Sequence, residues 1–463
     1  ILSGGAASVQ ISVPESTAPV SFTTTWDRTF GGTLKEFGKP FAAPDGGYLL
    51  AGYSESNATG DKSENSRGDF DYWVVKVDRH GNKLWDKTYG GTGVDTVSSV
   101  AQTVDGGHLL AGTSKSGLNG DKSEYGRGDK DFWVVKIDAN GTKLWDKRFG
   151  GSGTEDLKEV LHAADGGFLL AGSSNSGVNG DKSENSWGGY DYWVVKIDAN
   201  GTKLWDKRFG GSSGDWCQDI IATADGGYLL GGASESNATG DKSENSRGKK
   251  DYWVVKIDGN GTKLWDKTLG GSDVENLGAL IATSDGGYLL AGNSISGATG
   301  EKSENSRGLV DYWLVKIDSN GNKLWDKRYG SLQNDYLENA IHVSGNGFLL
   351  SGNTNSSSSN GDITEPVKGG ADFWLVRIAE DGTKLWDRRL GGLGYEWSAH
   401  SLLTTDGGFL MARNSHSGVS GDKSEASRGL GDFWAIKLDA NGNRNLYASD
   451  PEGTALTWSL NGG

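Results

Sequence analysis

The chain has 463 residues, a formal charge of −15 and one cysteine, Cys217. A single core rarely grows past about 250–300 residues, so one ordinary domain is excluded. The acidic balance argues against nucleic acid or an anionic membrane as partner, since both need basic patches; a lone thiol excludes an internal disulfide framework, and no run reaches the ~18 apolar residues of a membrane span.

Residues 1–20 are rich in Gly, Ala, Ser and Pro around one candidate strand, residues 9–13, and read as a linker or the edge of a neighbouring domain. A chain that begins at Ile1 without an initiator Met reads as processed, or as a piece of something longer. SFTTTWDRTFGG, ending at Gly32, is then only the second half of a hairpin whose full form comes later.

That full form is DYWVVKIDANGTKLWDKRFGG, residues 191–211. Residues 192–197 are apolar, aromatic and β-branched, as a strand covered on both faces requires. Asp198-Ala199-Asn200-Gly201 is turn chemistry, and the strand after it carries Trp205 as its large apolar anchor. Close copies start at Asp71, Asp131 and Asp251, a copy that departs at Ser331 starts at Asp311, and weaker ones start at Asp372 and Asp432. The period is about 60 residues, the mark of a repeat array. Each unit adds two earlier strands: a weakly patterned one, as at residues 157–163, and a YLLAG or FLLAG run, as at residues 48–52. A DGG turn opened by Asp45, Asp105, Asp165, Asp225, Asp285 or Asp406 joins them, and Ser344-Gly345-Asn346-Gly347 replaces it once. A long polar loop, such as residues 54–68, joins the second strand to the third.

Trp-Asp strands begin at Trp26, Trp85, Trp145, Trp205, Trp265, Trp325 and Trp386, and second strands begin at Tyr48, His108, Phe168, Tyr228, Tyr288, Phe348 and Phe409. The chain therefore opens on a lone fourth strand, and its last unit, ending near Asp439, lacks one. A closed ring needs that offset, because the first strand then completes the last blade and removes its open edge. The sequence predicts an all-β, seven-bladed β-propeller over residues 21–442, with almost no helix. Residues 443–463 break the pattern and read as an extension or the start of a following domain, with strand candidates at 445–448 and 454–460.

The tight turns fall at one end of the strands and the long loops at the other, so binding is expected on the loop-bearing face. Two repeated constellations lie there. The first is the loop GDKSENSRGxxDYW, with Asp61, Ser63, Asn65 and Asp71 matched by Asp181, Ser183, Asn185 and Asp191 and by Asp241, Ser243, Asn245 and Asp251. Alternating oxygen side chains followed by an Asp resemble a calcium loop; the competing and preferred reading is a polar loop bonding its own backbone. Calcium is the only cofactor either reading implies. Glu301, Tyr125, Ala426 and residues 362–366 depart from the pattern. The second constellation is an acid ten residues after each Trp: Glu36, Asp95, Glu155, Asp215, Glu275, Asp335 and Glu396. Seven acids at the mouth of the central channel would hold a cation; the preferred alternative is that each caps a local turn.

No catalytic set emerges. The six His are not at metal-ligand spacing, no nucleophile motif or phosphate loop appears, and Cys217 beside Trp216 reads as a buried thiol. Residues repeated in every unit, the Trp, the Asp after it (Asp86, Asp146, Asp206) and a strand-three cation (Lys76, Lys136, Lys196, Arg377), are expected to pack blades together. Departures from symmetry point better to a ligand: Tyr125, Trp187, Trp216, Tyr336, Tyr395 and Trp397 add aromatics near the loop face. Such rings stack on sugars, anchor protein partners, or fill space between blades.

The repeat DGGYLLAG…DYWVVKIDANGTKLWDKRFGG resembles the propeller repeats of large secreted and cell-surface proteins of Bacteroidetes, over residues 26–440. That resemblance implies export, often by the type IX route, and a role in adhesion or surface assembly, with a glycan or surface protein as partner. IDANGTKLW also looks like the tryptophan-docking repeat of quinoprotein propellers, which implies Trp docking between blades. The expectation is thus a non-catalytic extracellular binding module. Two alternatives stand beside it: a polysaccharide hydrolase or lyase using carboxylates on the same face, and a ligand-free spacer in a larger surface protein or filament.

Overall fold

The computed structural model describes residues 25–343, 345 and 347–444. The strand candidates at 9–13, 445–448 and 454–460 lie outside the described residues, as do Ser344 and Asn346 of the exceptional turn. Twenty-eight strands form seven four-stranded antiparallel sheets. Six sheets are consecutive in sequence, the first made of Glu36–Ala42, Tyr48–Ser54, Asp71–Val77 and Lys83–Tyr89. In the seventh, Glu396–Leu403, Phe409–Ser415 and Asp432–Leu438 are completed by Trp26–Phe30 from the other end of the chain. Trp26 stands opposite Lys437 and Phe30 opposite Phe433, so the ring is a seven-bladed propeller closed by its N-terminal strand.

Burial explains why the third strand is apolar at nearly every position. All seven residues of Asp191–Ile197 are buried. Trp193, Val195 and Ile197 pack with Phe132, Val134 and Phe149 of the preceding blade, while Tyr192 and Val194 pack with Ile220, Trp253 and Val255 of the next. The Tyr192 and Trp253 rings lie 4.8 Å apart, and the tyrosine hydroxyl donates to the Trp253 carbonyl at 2.8 Å. Each such indole removes about 150–250 Å² from water, about 4–6 kcal/mol of transfer free energy.

The main docking tryptophans are therefore those of the third strand, Trp73 through Trp434, all fully buried. The fourth-strand tryptophans, on which docking was expected from sequence, play a lesser part. Trp145 is half-buried and lies beneath the turn of the next blade, where Gly201 has φ +82 and a Cβ would stand 3.0 Å from the indole. Asp206 ties the two tryptophan strands together: its Oδ2 accepts from Trp193 Nε1 at 3.0 Å and from the Ser183 amide at 2.9 Å. The strand-three lysine turns to the short-turn face, where Lys196 Nζ meets Asp165 at 2.6 Å. Arg377, in the blade whose turn lacks that Asp, donates instead to the Phe348 and Ile378 carbonyls.

Candidate functional site

The repeated polar loop is a clasp between blades. The first Asp of each loop reaches back to the preceding blade: Asp61 accepts from the Gly31 amide at 3.1 Å and pairs with Arg428 at 2.9 Å. The same pairing joins Arg67 to Asp121, Arg127 to Asp181, Arg247 to Glu301, Arg307 to Asp362 and Lys368 to Asp422. The other loop residues turn elsewhere. Asn65 Oδ1 accepts from the Ala58 amide, the Ser63 amide donates to Asp86, and Asp71 Oδ2 accepts from the Arg67 amide. Asp181, Asn185 and Asp191, and Asp241, Asn245 and Asp251, repeat this divergence. The oxygens that the calcium reading needs around one ion face separate partners in this geometry. Among the described residues no group of three or more His, Cys, Asp or Glu is placed to hold a metal ion.

The seven acids are fully buried, so they are not a charged ring at the channel mouth. Each instead caps its own inter-blade turn. Glu155 Oε2 accepts from the Gly151 amide at 2.9 Å, and its Oε1 accepts from the Ser174 and Ser176 hydroxyls at 2.7 and 2.5 Å. Glu275 and Glu396 repeat all three bonds. Asp95 and Asp215 bond a turn glycine and one serine, Asp335 bonds Ser331, and Glu36 bonds Ser54 and Ser56.

These caps sit beside the strand-three Asp of the preceding blade. Burial, and then the neighbouring acid's charge, pushes Asp191 up to about 7 and Asp71 up to about 6. A buried lysine offsets each pair, such as Lys182, which burial lowers to about 8. Blade six alone lacks that lysine, having Ile363 at its place. There the fully buried Arg389 supplies the cation, donating to Asp372 Oδ2 and the Ser356 carbonyl.

Symmetry breaks in the wall of the central channel. The innermost strands place Lys39, Ser99, Glu159, Asp219, Ala279, Asn339 and His400 at one register position, opposite Ala51, Ala111, Ala171, Gly231, Ala291, Ser351 and Ala412. No two blades share a residue there, whereas the third strands are nearly identical. All of the first set but Ser99, with Asp156, Lys158, Glu338 and Arg413, line a cavity of about 510 Å³. Blades two to six each insert a bulge before this position. Blade one has none, which sets Lys39 in an unbroken ladder.

The cavity acids are engaged. Asp156 pairs with Lys158 at 2.8 Å, and Glu159 accepts the Ser99 hydroxyl. Asp219 accepts from the Ile220 and Leu280 amides, both at 2.7 Å, and Glu338 accepts the Ser398 hydroxyl at 3.2 Å. Burial, and then the charge of Glu159, pushes Asp219 up to about 8, and burial raises Glu159 itself. Burial and the Arg413 guanidinium lower Lys39 to about 8, and burial with Lys39 and Arg413 holds His400 well below the usual imidazole range. Cys217 is buried and burial pushes its thiol up, as expected for an inert core residue.

The six aromatics divide. Tyr125 and Trp187 lie on the loops, away from the channel. Trp187 occupies the clasp arginine's place, stacks under Arg208 at 5.1 Å and packs on Gly240, so it fills a joint between blades. Trp216, Tyr336 and Trp397 are the second residues of the innermost strands, two ladder positions nearer the loop face than the cavity residues. Trp216 carries Lys250 Nζ over its ring at 4.1 Å and has Tyr190 beside it. Tyr395 and Trp397 are 53% and 39% exposed and parallel to within 5°, with centroids 5.8 Å apart. Residue-type reasoning found these rings but missed Lys39, Glu159, Asp219, His400 and Arg413. The available signal was their variation at one fixed offset in an otherwise repeated unit.

No family model matches the chain. The regulatory protein FlaEY of Caulobacter vibrioides is 24% identical over 479 residues, covering 93% of this chain and 49% of that protein. The chain thus spans about half the length of the curated relative it matches. Among solved structures, the WD40 domain of Neurospora crassa Pan2 is 9% identical, with 90% of this chain and 96% of that one covered and a TM-score of 0.44. Sqt1 from Chaetomium thermophilum is 12% identical, with 90% and 100% covered and a TM-score of 0.41.

Proposed function

We propose that the chain is a recognition module of an extracellular or cell-surface protein, binding a glycan at the channel mouth on its long-loop face. The observation that carries this reading is the Tyr395–Trp397 pair: two parallel, exposed rings at the loop-face end of the strand that carries His400 into a cavity whose wall differs in every blade. A flat aromatic platform offers an apolar face to a pyranose ring, and the polar wall below supplies donors and acceptors. The repeated loops and caps are absorbed in holding blades together, which leaves the channel mouth as the place where one ligand would be told from another. Adhesion or surface assembly is the role such a module would serve in a longer chain.

The test is a glycan array followed by calorimetry on the retained sugars. Trp397→Ala should weaken binding at least about tenfold, the loss of one stacking ring, while Trp187→Ala leaves it unchanged. Retention of no glycan, or equal binding by both variants, would refute the proposal. One observation favours the second reading, a polysaccharide-active enzyme: Glu159 and Asp219, both raised, share the cavity. Release of soluble products from a polysaccharide panel, abolished in Asp219→Asn, would select it.

A further inference from the structure

Blade seven departs from the other six at one residue of its second strand. Gly52, Gly112, Gly172, Gly232, Gly292 and Gly352 occupy this position elsewhere, and a Cβ there would stand 1.6–2.2 Å from a carbonyl oxygen of the innermost strand. No side chain fits that approach. Blade seven nevertheless has Arg413 at this position.

The innermost strand makes room for it. In blades two to six the ladder runs unbroken to the residue facing the glycine, as at Leu157↔Gly172, and the bulge follows. In blade seven the shift falls between Trp397 and His400, and Arg413 has no ladder partner on the innermost strand. The bulge has moved ahead of the core residue: Ser398 is extruded, and Ala399 takes the buried place held elsewhere by Leu157, Cys217 or Leu337. Ser398 is left at φ +61, in the left-handed region where a non-glycine residue is costly. It is the sole non-glycine residue with positive φ among the described residues. Local strain of this kind persists where the surroundings enforce it, and here its effect is to admit one guanidinium to the central cavity.

Arg413 lines the cavity together with Lys39 of the adjoining blade one. The acids around them are engaged with Lys158, with hydroxyls or with backbone amides, as described above. Neither the Arg413 nor the Lys39 side chain forms a hydrogen bond or ion pair among the described residues. Two cations from neighbouring blades thus face one water-accessible space with no carboxylate in direct contact, Glu159 and Glu338 acting on Lys39 only at longer range. The Tyr395–Trp397 platform lies just above, since Trp397 immediately precedes the displaced bulge.

We propose that Arg413 and Lys39 form a carboxylate-binding pocket at the inner end of the platform, so that the ligand is an acidic saccharide whose carboxylate enters the channel. This rests on the reading of the mouth as a glycan platform. The guanidinium fork donates two parallel hydrogen bonds to a carboxylate, and the ammonium adds a point charge. The sugar ring then lies against Trp397, which a bare anion would not use.

The experiment is calorimetry of the full chain with three probes: methyl glucuronide, its uncharged methyl ester, and acetate. The acid should bind at least about tenfold tighter than the ester, as expected for a charge-assisted pair. Arg413→Gly, which restores the residue of the other six blades, should abolish that preference, so that acid and ester bind equally. Lys39→Met should reduce the preference in part. Circular dichroism and the thermal midpoint check that each variant folds; if Arg413→Gly does not, Arg413→Gln gives the same comparison. Equal binding of acid and ester by the parent protein would overturn the pocket and leave the glycan reading standing. Acetate binding as tightly as the glucuronide, untouched by Trp397→Ala, would keep the pocket and overturn the glycan reading. No detectable binding of any probe at millimolar concentration would overturn the pocket.

Discussion

Blade six offers an exchange that the structure makes quantitative. Asp372 is fully buried; its Oδ2 accepts from the Lys368 amide at 3.0 Å and from Arg389, and its Oδ1 has no partner. Arg389→Thr would leave that carboxylate without its cation, a loss of about 3–5 kcal/mol. Ile363→Lys alone would give blade six the lysine-and-arginine pair that Lys182 and Arg208 form beside Asp191 in blade three, and should cost no more than about 1 kcal/mol. The double variant recreates the arrangement of blade one, where Lys62 Nζ donates to the Thr88 hydroxyl at 2.6 Å. It should return to within about 1–2 kcal/mol of the parent, so that Ile363→Lys rescues Arg389→Thr by about 2–3 kcal/mol. Urea denaturation followed by tryptophan fluorescence, with midpoints and slopes for all four proteins, measures this. Strict additivity, with the double variant as unstable as Arg389→Thr alone, would refute the view that a lysine at residue 363 can stand in for Arg389 beside Asp372.

The remaining predictions concern acid titration, closure and the thiol. Asp71, Asp131 and Asp335 are raised to about 6 and Asp191 to about 7, each above its unfolded value, so the folded state holds their protons more tightly. Their contribution to stability therefore grows as pH falls from about 7 toward 4, by up to about 1.4 kcal/mol per pH unit for each group. Asp191→Asn should flatten that slope in urea midpoints measured at pH 5, 6 and 7; an unchanged slope would contradict the assignment. The turn acids Asp225 and Asp285, lowered to about 2 by hydrogen bonds from Lys256 and Thr223 and from Thr283 and Lys316 respectively, act oppositely, and their stabilisation disappears as pH falls through 4 to 2. Deleting residues 1–31 removes the strand paired with Asp432–Leu438 and should give an aggregating chain by size-exclusion chromatography, which a synthetic peptide of residues 21–32 returns to a monomer; a monomeric, fully stable deletion would contradict closure. Cys217 should not react with a thiol reagent at pH 8 until the protein is unfolded, and rapid labelling of the native chain would show its burial to be wrong.

The architecture was legible because each level of the sequence agreed with it. The DYWVVKI run is apolar on both faces because both faces meet a neighbouring blade, and the mismatch of half-units at the two ends fixes how the ring closes. The binding candidate was less legible. The polar loop looked like an ion site because its oxygens alternate, but in a ring the loop's first carboxylate reaches back across a joint to a glycine amide 31 residues and an arginine 54 residues earlier, as Asp121 does to Gly90 and Arg67. The seven acids looked channel-facing because they begin the innermost strand, yet a period-2 strand sends its first residue to the core and its second to the channel. The cavity residues lie on the least patterned strand, where a bulge shifts the register and hides which positions correspond. Ser398 and Ala399 stand where the other blades have an apolar residue followed by a polar or small one, and Arg413 stands where they have glycine. Those two departures were visible as letters, but their connection appears only once the strands are paired.

The most direct measurement is a chimera of blade seven. Trp397-Ser398-Ala399-His400 would be replaced by the blade-three residues Asp-Leu-Lys-Glu, and Arg413 by Gly, leaving every loop, cap and clasp in place. If the channel mouth at blade seven is the recognition site, the chimera folds with an unchanged thermal midpoint and loses binding to every glycan the parent retains on an array. A folded chimera that binds those glycans with parental affinity would contradict the account.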